Sequence, residues 1–100
     1  MFWAILRSAN PNMTEVRANG LQAHRDYLQS QKRILVLAGA TVSDDGEELT
    51  GSLLVVNVNT RAEARAFVDG DPFMKAGVFT VDKITRMRKG QWNPEAAEGA

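Results

Sequence analysis

Four runs rich in apolar, branched and aromatic residues are separated by two helical segments, and their order leaves few folds open. Phe2 to Ala9 (FWAILRSA) reads as the first strand and is closed by the breaker run Asn10-Pro11-Asn12. A helix is expected from Thr14 or Glu15 to about Gln31, with Thr14 as its candidate cap. Gly20 is its weak point, costing about 1 kcal/mol relative to alanine. Arg33 to Val42 (RILVLAGATV) is a continuously apolar second strand, Ser43 to Thr50 an acidic turn, and Gly51 to Asn59 (GSLLVVNVN) a third strand. Thr60-Arg61-Ala62-Glu63 has the form of a capping box, in which Thr60 and Glu63 satisfy each other's free amides. The helix it opens is expected to turn Ala62, Ala66 and Phe67 inward and to end near Asp69-Gly70. Asp71-Pro72-Phe73 then starts a short helical turn, with Asp as cap and Pro in first position. Gly77 to Arg88 is a fourth, more polar strand. The order βαββαβ predicts an α+β, ferredoxin-like domain, two helices covering one face of a four-stranded antiparallel sheet. Residues 1–89 form that domain. Residues 90–100, rich in Ala, Glu, Gly and Pro, are a tail expected to be flexible, with Trp92 placed to anchor its start.

The strands carry apolar residues on both sides. In the first, Phe2, Ala4 and Leu6 line one face and Trp3 and Ile5 the other; in the third, Leu53 and Val55 oppose Leu54, Val56 and Val58. Two helices cover only one face, so the other would remain an apolar association surface. A second copy packed sheet against sheet is the simplest remedy, and a homodimer is expected. Twelve basic and twelve acidic residues cancel, which removes the general electrostatic argument for a nucleic-acid partner. The chain lacks cysteine, which excludes disulfides, thiolate metal sites and cysteine nucleophiles. The apolar run Phe2 to Leu6 is too short to span a bilayer. No membrane partner is expected, and the default location is cytoplasmic.

His24 is the only histidine. At about 100° per residue, Gly20, Leu21, His24, Tyr27 and Leu28 share one side of the first helix. An imidazole in an apolar stripe has a desolvation cost unless its nitrogens find partners. It is therefore either a core residue with satisfied hydrogen bonds or the proton-transfer group of a pocket, with Gly20 leaving space beside it. Asp71 has two readings of its own, as a helix cap serving backbone amides or as a carboxylate partner for an imidazole.

The helical His24, Leu37-Ala38-Gly39, the acidic turn with Gly46, Gly51-Ser52-Leu53, Asp71-Pro72-Phe73 and Ala76-Gly77-Val78 follow one another in an order that resembles the YCII-related (YciI-like) family. The resemblance runs from Phe2 to about Ile84. It implies a dimeric α+β barrel and a pocket in which His24 and Asp71 act together as an acid–base dyad. The chain departs from the family pattern at Leu21, where arginine is frequent, and at Gly39-Ala40, where Gly-Pro is frequent.

Other candidates are weaker. Asp44, Asp45, Glu47 and Glu48 lack the ligand spacing of a calcium loop and read as a solvated turn. No second histidine exists for a zinc site, and no metal or cofactor is expected. Lys83, Arg86, Arg88 and Lys89 read as protection of an edge strand. Ser8 and Ser52 have no nearby His-Asp pair, so a serine triad is unsupported. Arg7 is placed either at a pocket rim, facing a substrate anion, or in a surface salt bridge. Two functions follow. One is a small cofactor-free enzyme in which His24 and Asp71 perform elimination, isomerisation or hydrolysis on a small organic substrate. The other is a non-catalytic module that binds a small molecule in the same pocket.

Overall fold

A computed structural model describes residues 1–100. Strand β1 (Phe2–Ala9) is followed by helix α1 (Thr14–Ser30), strands β2 (Leu35–Val42) and β3 (Leu49–Asn57), helices α2 (Arg61–Asp69) and α3 (Pro72–Lys75), and strand β4 (Phe79–Met87). One antiparallel sheet holds all four strands in the order β2-β3-β1-β4, the ferredoxin-like arrangement. A 3₁₀ turn, Pro94–Ala97, lies in the exposed C-terminal segment, where Trp92 is exposed rather than anchored.

Strand alternation sorts the side chains as the pattern predicts. Trp3, Ile5 and Arg7 of β1 and Ser52, Leu54 and Val56 of β3 are buried beneath the helices. Their backbones pair directly, Ile5 opposite Leu54 and Trp3 opposite Val56. Burial of such side chains contributes about 1.5–3 kcal/mol each, and Ala64, Phe67 and Val68 of α2 close the same core. Ala62 and Ala66, expected to point inward, are exposed. The helix begins at Arg61, and that phase puts Ala64, Phe67 and Val68 on the sheet-facing side instead.

Capping accounts for most of the boundaries. Thr60 Oγ1 accepts from the Glu63 amide at 3.1 Å, half of the expected box. The reciprocal arm reaches one residue further back, from the Asn59 amide to Glu63 Oε2 at 3.5 Å. Thr14 is not a cap: Met13 occupies that position and Thr14 is the first helical residue. Gly70 is required by close approach, because a Cβ there would collide with the Tyr27 hydroxyl. That hydroxyl donates to the Phe67 carbonyl at 2.7 Å and ties α1 to the end of α2.

Helix α1 is less buried than α2. It has no fully buried residue. Tyr27 and Leu28 pack against the main core and Leu21 against Phe73, Val78 and Phe79, while Leu21, His24 and Leu28 also line a cavity between helix and sheet. The helix is also held by its own Tyr27, which donates to Phe67 of α2, and by contacts with α3. Gly20 leaves room for the Phe73 ring of α3 rather than for the imidazole, since a Cβ there would touch Phe73 at 3.4 Å. No helix is long and apolar enough to cross a membrane.

Candidate active site

Asp71 is the hub of a buried polar cluster. Its Oδ1 caps α3 by accepting from the Phe73 amide at 2.9 Å. The same oxygen lies 2.7 Å from His24 Nδ1, and Oδ2 accepts from Arg7 Nη1 at 2.8 Å. The two readings of Asp71 are therefore both realised, as cap and as imidazole partner. The Asp71 and Arg7 side chains are each only 1% exposed, whereas His24 is 14% exposed. A buried charge is tolerable only with partners, and every oxygen of this carboxylate has at least one.

Arg7 is neither at a rim nor in a surface salt bridge, the two placements its sequence suggested. It projects inward from β1, with its Nε donating to Ser52 Oγ at 2.8 Å and its guanidinium stacked over Phe79, 4.2 Å from the ring centroid. A β-bulge in the β1–β4 pairing falls at Leu6/Arg7, so that Leu6 faces Lys83 and Arg7 faces Val81. Bulges of this kind re-aim a side chain at a site. Burial lowers the Arg7 pKa from its ordinary value, and the hydrogen bond and charge of Asp71 act in the opposite direction. For Asp71, burial pushes the carboxyl up, but hydrogen bonds from His24, Arg7 and the Phe73 amide together prevail. They hold it below its ordinary 3.8, ionised at neutral pH. Tyr27 is raised, first by burial and then by the negative charge of Asp71.

The imidazole of His24 lies flat on Phe73, centroids 4.1 Å apart and planes inclined by 10°. Because an ionised carboxylate only accepts, Nδ1 carries the proton and Nε2 is the ring's free basic atom. Nε2 has no partner within the chain, and His24 lines a cavity of about 450 Å³. Leu21 and Leu28 of α1, Ala38 and Gly39 of β2, Leu54 of β3, Phe73 and Phe79 form apolar walls, with Arg7 and Ser52 at the polar end. This is the usual composition of a small-molecule site. Ser52 accepts from Arg7, and no acceptor in the chain takes its own proton. It forms no triad with His24.

The remaining charged candidates lie elsewhere. Asp45 accepts from Ser43 Oγ and the Glu47 amide within the acidic turn, bonds that lower its pKa. Ser8 donates to Asp82 at the surface. Lys83, Arg86, Arg88 and Lys89 are exposed. No three His, Cys, Asp or Glu side chains gather closely enough to hold a metal ion. Sequence reasoning underrated Arg7 and Ser52. The available signal was that both fall on the helix-facing side of their strands, in phase with Ile5 and Leu54.

The YCII-related domain matches residues 1–88 of the chain. The chain belongs to the YCII-related family. Eight solved chains also match this YCII-related protein significantly. One is 5-chloro-2-hydroxyhydroquinone dehydrochlorinase (TftG) from Burkholderia phenoliruptrix AC1100, in complex with 2,5-dihydroxybenzoquinone. Identity is 32% and the TM-score 0.78, with 90% of this chain and 96% of that one covered. No curated protein matches significantly.

Proposed function

We propose that this YCII-related protein is an acid–base enzyme that eliminates a leaving group from a small organic ring, with His24 and Asp71 as its dyad. The observation that carries this reading is the 2.7 Å contact between His24 Nδ1 and Asp71 Oδ1, which commits one ring nitrogen and leaves Nε2 for a ligand in the cavity. Likeness to a dehydrochlorinase supports elimination over the other reactions open to such a pair. In an elimination a base takes a proton, the bonding electrons form a new double bond, and the leaving group departs with its own pair. Nε2 receives the proton. Asp71 stays ionised, holds the ring's orientation and stabilises the imidazolium that forms. Arg7 balances the carboxylate and positions it. No residue beyond 89 lines the cavity, so the active unit is residues 1–89, with 90–100 an appendage.

Incubation with 5-chloro-2-hydroxyhydroquinone is expected to release chloride, followed with an ion-selective electrode, and 2,5-dihydroxybenzoquinone is expected to inhibit. No halide release from this compound or other halogenated hydroquinones, together with no binding of the quinone, would sink the reading.

The working form is a homodimer joined through the open sheet face. Leu6 and Leu37 are 40% and 53% exposed there, and Phe2, Ala4, Leu53 and Val55 share that side by strand alternation. Val55 faces away from the helices and Val56 is buried beneath them. Val55→Glu is therefore expected to yield a monomer or an aggregate in sedimentation at micromolar concentration. A wild type that sediments as a monomer under those conditions would refute the dimer.

A further inference from the structure

We infer that the substrate of this cavity is an organic anion whose acidic group, remote from the reacting atom, is bound by Arg17. The inference rests on the reading of the cavity as the catalytic site and names the class of compound it takes.

The cavity lining includes three arginines, Arg7, Arg17 and Arg25, and no carboxylate. Arg7 is already neutralised by Asp71. The ion pairs of the chain are Arg7–Asp71, His24–Asp71 and Arg65–Asp69, so Arg17 and Arg25 belong to none. Arg25 is exposed and well hydrated, but Arg17 is half-buried. A half-buried guanidinium without a counter-charge has lost hydration that a ligand anion can replace, with bidentate geometry suited to a carboxylate or phenolate.

Helix geometry aligns this cation with the reacting group. Arg17 and His24 are seven residues apart on α1, nearly the same angular position and roughly 10 Å along the axis. Leu21 lies between them, and it too lines the cavity. An anion held by Arg17 therefore lies over an apolar wall and presents its far end to Nε2, a spacing that fits one ring with its substituents. Arg25, beside His24, adds positive potential at the mouth without being positioned for the same group. Glu47 and Glu48 share a second, adjoining cavity with Arg17 but form no ion pair with it.

The test uses 2-hydroxybenzoate and its neutral isostere 2-hydroxybenzamide as probes, titrated calorimetrically into the wild type, Arg17→Gln and His24→Ala. The benzoate is expected to bind the wild type more tightly than the amide and to weaken as salt is raised. Arg17→Gln should reduce benzoate affinity about tenfold, the scale of a charged hydrogen bond, while leaving amide affinity and the melting temperature unchanged. Equal binding of the two probes, no benzoate binding by the wild type, or unchanged benzoate affinity in Arg17→Gln would each overturn the inference. A lower melting temperature in that variant with unchanged affinity would assign Arg17 to Glu47 or Glu48 instead. Since no turnover is required, loss of catalysis in His24→Ala with intact benzoate binding, and the converse, separate failure of this inference from failure of the dyad.

Discussion

Asp71→Ala is expected to destabilise the protein by about 3–5 kcal/mol, the cost of leaving one member of a buried ion pair alone. Arg7 would keep its charge with its side chain 1% exposed and only Ser52 Oγ and the Phe79 face as partners. The cap of α3 would be lost as well, since the Phe73 amide has no other acceptor. At about 4–8 °C per kcal/mol for a domain of this size, the melting temperature should fall by more than 10 °C. Asp71→Asn should fall less, because its amide oxygen retains the cap. A melt within a few degrees of wild type for Asp71→Ala would show that the cluster contributes nothing net. The pH dependence has a fixed sign. The carboxyl is held below its ordinary 3.8 in the folded protein, so its contribution is complete above that value and is lost as pH falls through the lower folded value. Acid titration of stability should therefore show a larger loss below about pH 4 in the wild type than in Asp71→Asn, where only other carboxylates such as Asp45 contribute.

His24→Ala is expected to reduce elimination by about 10²- to 10⁴-fold, the range for a general acid–base group, with only a modest change in melting temperature. The side chain faces the cavity, so its removal enlarges a space already present and forfeits the hydrogen bond to Asp71 and one stacked contact with Phe73. That contact is worth about 0.5–1.5 kcal/mol. Asp71 would still be held by Arg7 and the Phe73 amide. Chloride release and thermal melting measured on the same preparation separate the two roles. Retained turnover with a large drop in melting temperature would return His24 to a structural role.

Much of this site was legible in the chain because its parts carry local signals. The Asp71-Pro72 start of α3 is a capping pattern written in adjacent residues, and the structure contains it as read. Likewise the alternation in β1 and β3 assigned Trp3, Ile5, Leu54 and Val56 to one face and Val55 to the other. The errors lie where a local signal had two solutions. Ala62 and Ala66 turned outward because α2 settles in the phase that buries Phe67 and Val68. The stripe of α1 was legible as apolar, and periodicity left open whether it packs or lines a cavity; it does both.

Residue order and type by themselves determined the βαββαβ succession, the strand faces, the cap at Asp71 and the position of His24 on the apolar side of α1, because each depends on neighbours within a turn or a strand pitch. Tertiary structure alone decided that His24 and Asp71 meet across 47 residues and that Arg7 reaches Asp71 across 64. Those contacts depend on sheet register, on the bulge beside Arg7 and on the distance at which Tyr27 and α3 hold α1 from the sheet. Each sums many weak long-range packing terms, and no local pattern in the chain encodes such a sum.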